Sequence, residues 1–143
     1  MFAIKRILVP TDFSDSAERA LSLAVDLARA FQAGLTLLHV WTIPSTFAEG
    51  LTWPTDGMER AARRALDELH ARVSKQYPGT EAVLQVGPEW QRILDVAKER
   101  NIDLVVMGTH GRRGLPRLIL GSVAEKVVRL SPVPVLTVRD PLQ

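Results

Sequence analysis

Short β-branched runs alternate with longer stretches of helical spacing along the whole chain, and no other feature narrows the fold so far. The run Ile4 to Val9 ends at Pro10-Thr11-Asp12. Ala17, Leu21, Ala24, Ala28 and Phe31 then recur at three- and four-residue steps, the pattern of a strand feeding a helix. Asp15 with Glu18 three residues on has capping-box spacing, and Gly34 is placed to stop this helix before the next run, Leu35 to Trp41. The pattern repeats with Met58, Ala62, Ala65, Leu69 and Val73 on one helical face, then Pro78-Gly79 and the alternating strand Ala82 to Val86. A third helix carries Trp90, Ile93, Leu94 and Ala97 and leads into Asp103 to Gly108, whose continuous apolar character suits a central buried strand. A last helix is expected from near Ser122 to about Leu130, and a last strand from Val133 to Val138. Five strands alternating with four helices predict a doubly wound α/β fold, because right-handed crossovers leave few other ways to cover a parallel sheet on both faces. Ligands of such sheets settle beyond the carboxyl ends of the strands, where the winding reverses. That directs the search for a site to Pro10-Thr11-Asp12 and to Gly108 onward.

Composition sets the outer limits. With 143 residues, 46% of them hydrophobic and 24% charged, the chain has material for one core, and a single domain over residues 1–143 is expected. The absence of cysteine excludes a disulfide framework and any thiolate metal site. A formal charge of +2, from 18 basic and 16 acidic residues, is too balanced to imply a nucleic-acid partner. No apolar stretch approaches the roughly 18 to 20 residues of a membrane span, and Met1-Phe2-Ala3-Ile4-Lys5-Arg6 reads as untargeted. The expectation is a soluble, cytoplasmic protein with neither membrane nor nucleic acid as a partner.

The segment Gly108 to Ser122 holds four glycines and four basic or potentially basic side chains, His110, Arg112, Arg113 and Arg117. Glycine lets backbone approach a ligand and expose successive N–H groups, and a helix starting near Ser122 adds roughly half a positive charge at its N-terminus. That chemistry suits a polyphosphate. Ser122 then has two readings open to it, a hydroxyl on phosphate or on a phosphate-bridging Mg²⁺ or Mn²⁺, or simply a helix cap. Asp12 likewise is either a ribose-binding carboxylate beside a nucleotide crevice or a turn and cap residue. His110 reads as loop architecture, since His39 and His70 are too distant in sequence to form a patterned metal cluster with it.

The loop is neither a G-x-x-x-x-G-K-[ST] phosphate loop nor a G-x-G-x-x-G dinucleotide fingerprint. Its spacing, Gly108, two residues, Gly111, nine residues, Gly121 and Ser122, resembles the ATP-binding signature of the universal stress protein family. The resemblance extends to Ile7-Leu8-Val9-Pro10-Thr11-Asp12-Phe13-Ser14, to Leu104 through Gly111, to Gly121 through Val127 and to Pro132 through Leu136. It implies the ATP-binding branch of that family and an adenine nucleotide alpha hydrolase-like sheet of order 3-2-1-4-5. It also implies site roles: Pro10, Thr11 and Asp12 on the ribose and adenosine side, the Val40 backbone on the adenine edge, and Met107 and Gly108 along base and sugar. Gly111, Arg112, Gly121, Ser122 and Val123 would wrap the phosphates of ATP, with Mg²⁺ or Mn²⁺. Pro116 departs from the small polar residue that relatives often carry there, and it brings no N–H to the spacer.

For catalysis the sequence offers little: no G-x-S-x-G elbow surrounds Ser122, no H-E-x-x-H pair exists, and no base for phosphoryl transfer stands out. Thr109-His110-Gly111-Arg112 does not match the H-x-G-H of adenylyl transferases. A nucleotide-binding stress-response or signalling module is the leading reading. A slow ATP hydrolase and a protein-interaction module without obligatory nucleotide are the alternatives. Pro134 in the last run favours an edge strand, and the resemblance implies a homodimer paired through Val133 to Val138, the alternative being a tail that covers the edge. Thr42 to Gly57 is long for a connection and reads either as a lid or as a surface loop.

Overall fold

The computed structural model describes residues 1–43, 55–110 and 120–139. Its elements are β1 (Arg6–Pro10), α1 (Asp15–Phe31), β2 (Gly34–Trp41), α2 (Thr55–Gln76), β3 (Glu81–Val86), α3 (Glu89–Glu99), β4 (Leu104–Gly108), α4 (Ser122–Leu130) and β5 (Val135–Val138). All strand pairs are parallel, in the order β3-β2-β1-β4-β5, which is the doubly wound arrangement expected.

Alternation along the strands sorts the core into two layers. Ile7, Val9, Leu35, Leu37, Leu104 and Val106 turn to the face covered by α1 and α2, where Ala20, Ala24 and Ala28 let α1 lie close to the sheet. Leu8, Leu38, Val40, Val105 and Met107 turn to the other face, against Ile93, Val96 and Ala97 of α3 and Ala124 and Val127 of α4. Full burial of a Val or Leu side chain contributes about 1.5–3 kcal/mol. The three interior strands β2, β1 and β4, buried on both faces, therefore contribute most of the sheet's share of the core. The ammonium of Lys126 lies 5.2 Å above the Trp90 ring and ties α4 to α3.

Several boundaries fall differently from the sequence expectation, by one residue at the starts of β3 and β4 and more informatively elsewhere. The α1 cap is Ser14, whose side chain accepts from the Ala17 N–H at 3.2 Å, so Asp15 sits inside the first turn and the Asp15–Glu18 spacing is not a capping box. The same helix ends on Gln32 in the left-handed conformation, φ 54°, whose N–H turns back to the Ala28 and Arg29 carbonyls, while Gly34 already belongs to β2. β1 starts at Arg6 rather than Ile4. β5 starts at Val135, because Pro134 has no N–H to give, although its carbonyl accepts from the Val105 N–H at 3.0 Å. β5 does lie at the sheet edge. The expected lid falls mostly on residues 44–54, outside the described residues, and α2 has begun by Thr55. Among the described residues no helix is long and apolar enough to cross a membrane.

Candidate functional site

A crevice opens between β1 and β4 at their carboxyl ends, and the backbone explains why. The Thr11 N–H donates to the Leu38 carbonyl at 2.8 Å, so residue 11 faces β2 and residue 10 faces β4. Residue 10 is a proline and has no donor to extend the ladder, and pairing of β1 with β4 goes no further than Leu8 with Val105. The two central strands part there, at the point where the winding reverses.

One wall of the crevice is the turn after β1, and it is fixed by its own side chains. The Thr11 hydroxyl accepts from the Phe13 N–H and Asp12 Oδ1 accepts from the Ser14 N–H, both at 3.0 Å. His39 Nδ1 lies 2.8 Å from the Thr11 carbonyl, a contact in which the ring nitrogen must carry the proton. Phe13 is held at φ 65°, uncommon for a bulky residue, with its ring 4.5 Å from that of His39. Asp12 is thus a turn residue, as one reading of its carboxylate has it, and it also lines the cleft.

At the end of β2, the Leu38 carbonyl points toward β1, and Val40, two residues on, turns its N–H and C=O to the same side. β1 has ended by then, so that backbone pair faces the crevice, which Val40 lines.

The second wall runs from β4 to α4. Gly108 is needed for a reason the loop spacing does not reveal. A Cβ there would lie 2.2 Å from Ser16 Oγ and 2.9 Å from the Ser16 backbone, so the start of α1 occupies the space of any side chain. Gly121 caps α4 with φ −59° and ψ 156°, angles open to any residue. Its N–H donates to the Thr109 carbonyl at 2.7 Å, which holds the head of α4 against the end of β4. Ser122 and Val123 form the first turn, whose N–H groups have no partner within the helix, and that end carries the positive pole of the dipole.

The resulting cleft, about 280 Å³ and close to the lower range for small-molecule sites, gathers Pro10, Thr11, Asp12, Val40, Met107, Gly108, Gly121, Ser122 and Val123. Gly111 and Arg112, with the remainder of residues 111–119, lie outside the described residues. Sequence reasoning missed Ser14, Ala17, Leu38, Glu89, Ile93, Thr109 and Ala124, which also line it. Most come from helix faces and carry no motif. Glu89, in the first turn of α3, was findable only as an acidic residue after the Gly87-Pro88 turn. His110, read as loop architecture, is buried and lines the cleft, with its Nδ1 3.0 Å from the Thr109 hydroxyl. Among the described residues no group of three His, Cys, Asp or Glu side chains could hold a metal ion.

Residues 3–139 match the model of the universal stress protein family. The chain belongs to this family. Universal stress protein MJ0531 of Methanocaldococcus jannaschii is 32% identical over 143 residues, covering 96% of this chain and 83% of that protein. Among solved structures, the universal stress protein UspA from Lactobacillus plantarum superposes with a TM-score of 0.81 at 30% identity, covering 96% of this chain and 99% of that one. A universal stress protein in complex with cAMP gives 0.73 at 27% identity, with coverages of 95% and 97%. The universal stress protein from Archaeoglobus fulgidus in complex with dAMP gives 0.67 at 26%, with coverages of 98% and 100%.

Proposed function

We propose that this universal stress protein binds ATP in the β1/β4 cleft and acts as a nucleotide-dependent stress-response or signalling module. The observation that carries the reading is the pairing of two unlike ends in one crevice. At one end Val40 offers an N–H donor beside a C=O acceptor, the complement of the adenine N1 and N6 amino edge. At the other, the Ser122 and Val123 amides at the head of α4 offer the donors and positive potential that phosphate takes. Asp12 stands on the wall between them, where its carboxylate accepts from ribose hydroxyls. The cAMP and dAMP complexes of relatives support the adenine and phosphate parts of this assignment. A divalent ion, Mg²⁺ or Mn²⁺, fits as a companion of the phosphates, with the Ser122 hydroxyl as its protein ligand and Gly111 and Arg112 completing the wrap. Such an ion supplies charge neutralisation, and the chain's part is to hold and orient the nucleotide. The chain is assigned as a cytoplasmic homodimer joined through the outer edge of β5.

Protein purified under native conditions and then denatured is expected to release adenine nucleotide on mass spectrometry, or, once stripped, to give a calorimetric heat with Mg-ATP. The absence of both release and heat would remove the assignment. Gly121→Val crowds the buried cap without forbidden backbone angles and is expected to weaken ATP binding about tenfold or more. Unchanged affinity would take Gly121 out of the phosphate site. Phosphate release followed over hours separates a binder from a slow hydrolase.

A further inference from the structure

One residue joins the head of α4 to the last residue of the edge strand. The Thr109 carbonyl accepts the Gly121 N–H at 2.7 Å, while the Thr109 N–H donates to the Val138 carbonyl at 3.2 Å and its hydroxyl lies 3.4 Å from the same oxygen. Thr109 is almost wholly buried, and its hydroxyl also meets His110 Nδ1 at 3.0 Å. β5 is four residues long, has β4 as its neighbour in the sheet, and is half exposed throughout. A short edge strand of this kind opens at lower cost than the strands at the sheet's centre, and Val138 is its last residue.

We propose that Thr109 couples occupancy of the nucleotide cleft to the docking of β5, so that nucleotide phosphate orders the edge strand that a partner chain would meet. The inference rests on the nucleotide reading of the cleft. Phosphate bound to the Ser122 and Val123 amides fixes the first turn of α4 and, through Gly121, the Thr109 carbonyl. With residue 109 fixed, its N–H and hydroxyl hold Val138 in register on β4. The two states are β5 docked to its end and β5 frayed at Val138, and bound phosphate favours the first because only there are all these bonds made together. Thr109 is a positioning residue in this scheme, and its effect on the strand is separable from affinity.

The test is residue-resolved amide hydrogen exchange on the full chain, with ATP binding measured in parallel by calorimetry. The Pro134 carbonyl faces β4, so residues 136 and 138 face it as well, and the Leu136 and Val138 amides report docking. Saturating Mg-ATP is expected to slow their exchange about five- to tenfold in the wild type. In Thr109→Val, which keeps both backbone bonds and loses the hydroxyl contact to Val138, the slowing at its own saturating ATP is expected to fall to about two- to fourfold, and in Thr109→Ser to return. Adenosine, which lacks phosphate, is expected to slow these amides less than ATP in the wild type, a measurement that needs no variant. ATP that binds without slowing Leu136 and Val138, equal slowing in Thr109→Val, or equal slowing by adenosine overturns the coupling and leaves the nucleotide assignment standing. Absence of ATP binding to the wild type overturns both.

Discussion

The two ends of the β1/β4 pair are built in opposite ways. At the amino end the strands are stitched together: Asp103 Oδ2 accepts the Lys5 and Arg6 N–H groups at 2.8 and 3.0 Å, the Asp103 N–H donates to the Arg6 carbonyl, and the Arg6 guanidinium reaches the Arg100 carbonyl. At the carboxyl end Pro10 withholds a donor and the strands part. The contrast teaches that the register of the sheet's centre is set at the end away from the cleft, which frees the cleft end to leave backbone groups for a ligand. Setting of register and binding are thus assigned to opposite ends of one strand pair.

Substitutions along this pair test the division. The largest effect is expected from Gly108→Val, where a side chain meets the Ser16 backbone at under 3 Å. We expect a loss of about 3 kcal/mol or more, seen as a collapsed urea midpoint, because helix backbone cannot step aside as a flexible side chain can. A midpoint within error of the wild type would mean that α1 is not held as described. Asp103→Ala comes next: two backbone amides lose a charged acceptor at a partly exposed site, for about 1–2 kcal/mol in thermal unfolding. Nucleotide affinity should stay within about twofold, and a parallel loss of affinity would break the division between the two ends. Pro10→Ala should have the smallest effect on stability and the most telling one on binding. It restores an N–H on the side facing β4, worth about 1 kcal/mol, and gives back about as much unfolded-chain entropy, so Tm should move little. If the parting of the strands makes the cleft, ATP affinity should still fall about threefold to tenfold by calorimetry.

Element order and the covering of the sheet on both faces were legible in the sequence because they depend on periodicity, and runs such as Leu104 to Met107 admit few other readings. Boundaries were less so. The choice of Ser14 over Asp15 as cap, and of Gln32 rather than a glycine for the left-handed stop, depends on where the chain must turn to meet the sheet. For the cleft, strand ends and loop spacing pointed to Pro10 to Asp12, Gly108, Gly121 and Ser122, and the family resemblance added Val40, Met107 and Val123, all of which line it. It could not show that Gly108 is glycine on account of Ser16, nor that Glu89, Ile93 and Ala17 arrive from helices packed over the sheet. Those facts belong to tertiary approach and leave no local pattern.

The strand order has a consequence for the chain as it is made. β1 is synthesised before the other four strands, β2 and then β3 follow on one side of it, and its neighbour on the other side waits for Leu104. At about 5–20 residues per second the growing polypeptide spends several seconds with the future middle of its sheet still an outer edge. No nucleotide can be sandwiched between β1 and β4 in that interval, since one of the two walls does not yet exist. Nascent chains on the ribosome should therefore gain nothing from ATP until β4 and α4 have emerged, after which the ligand can stabilise the finished molecule.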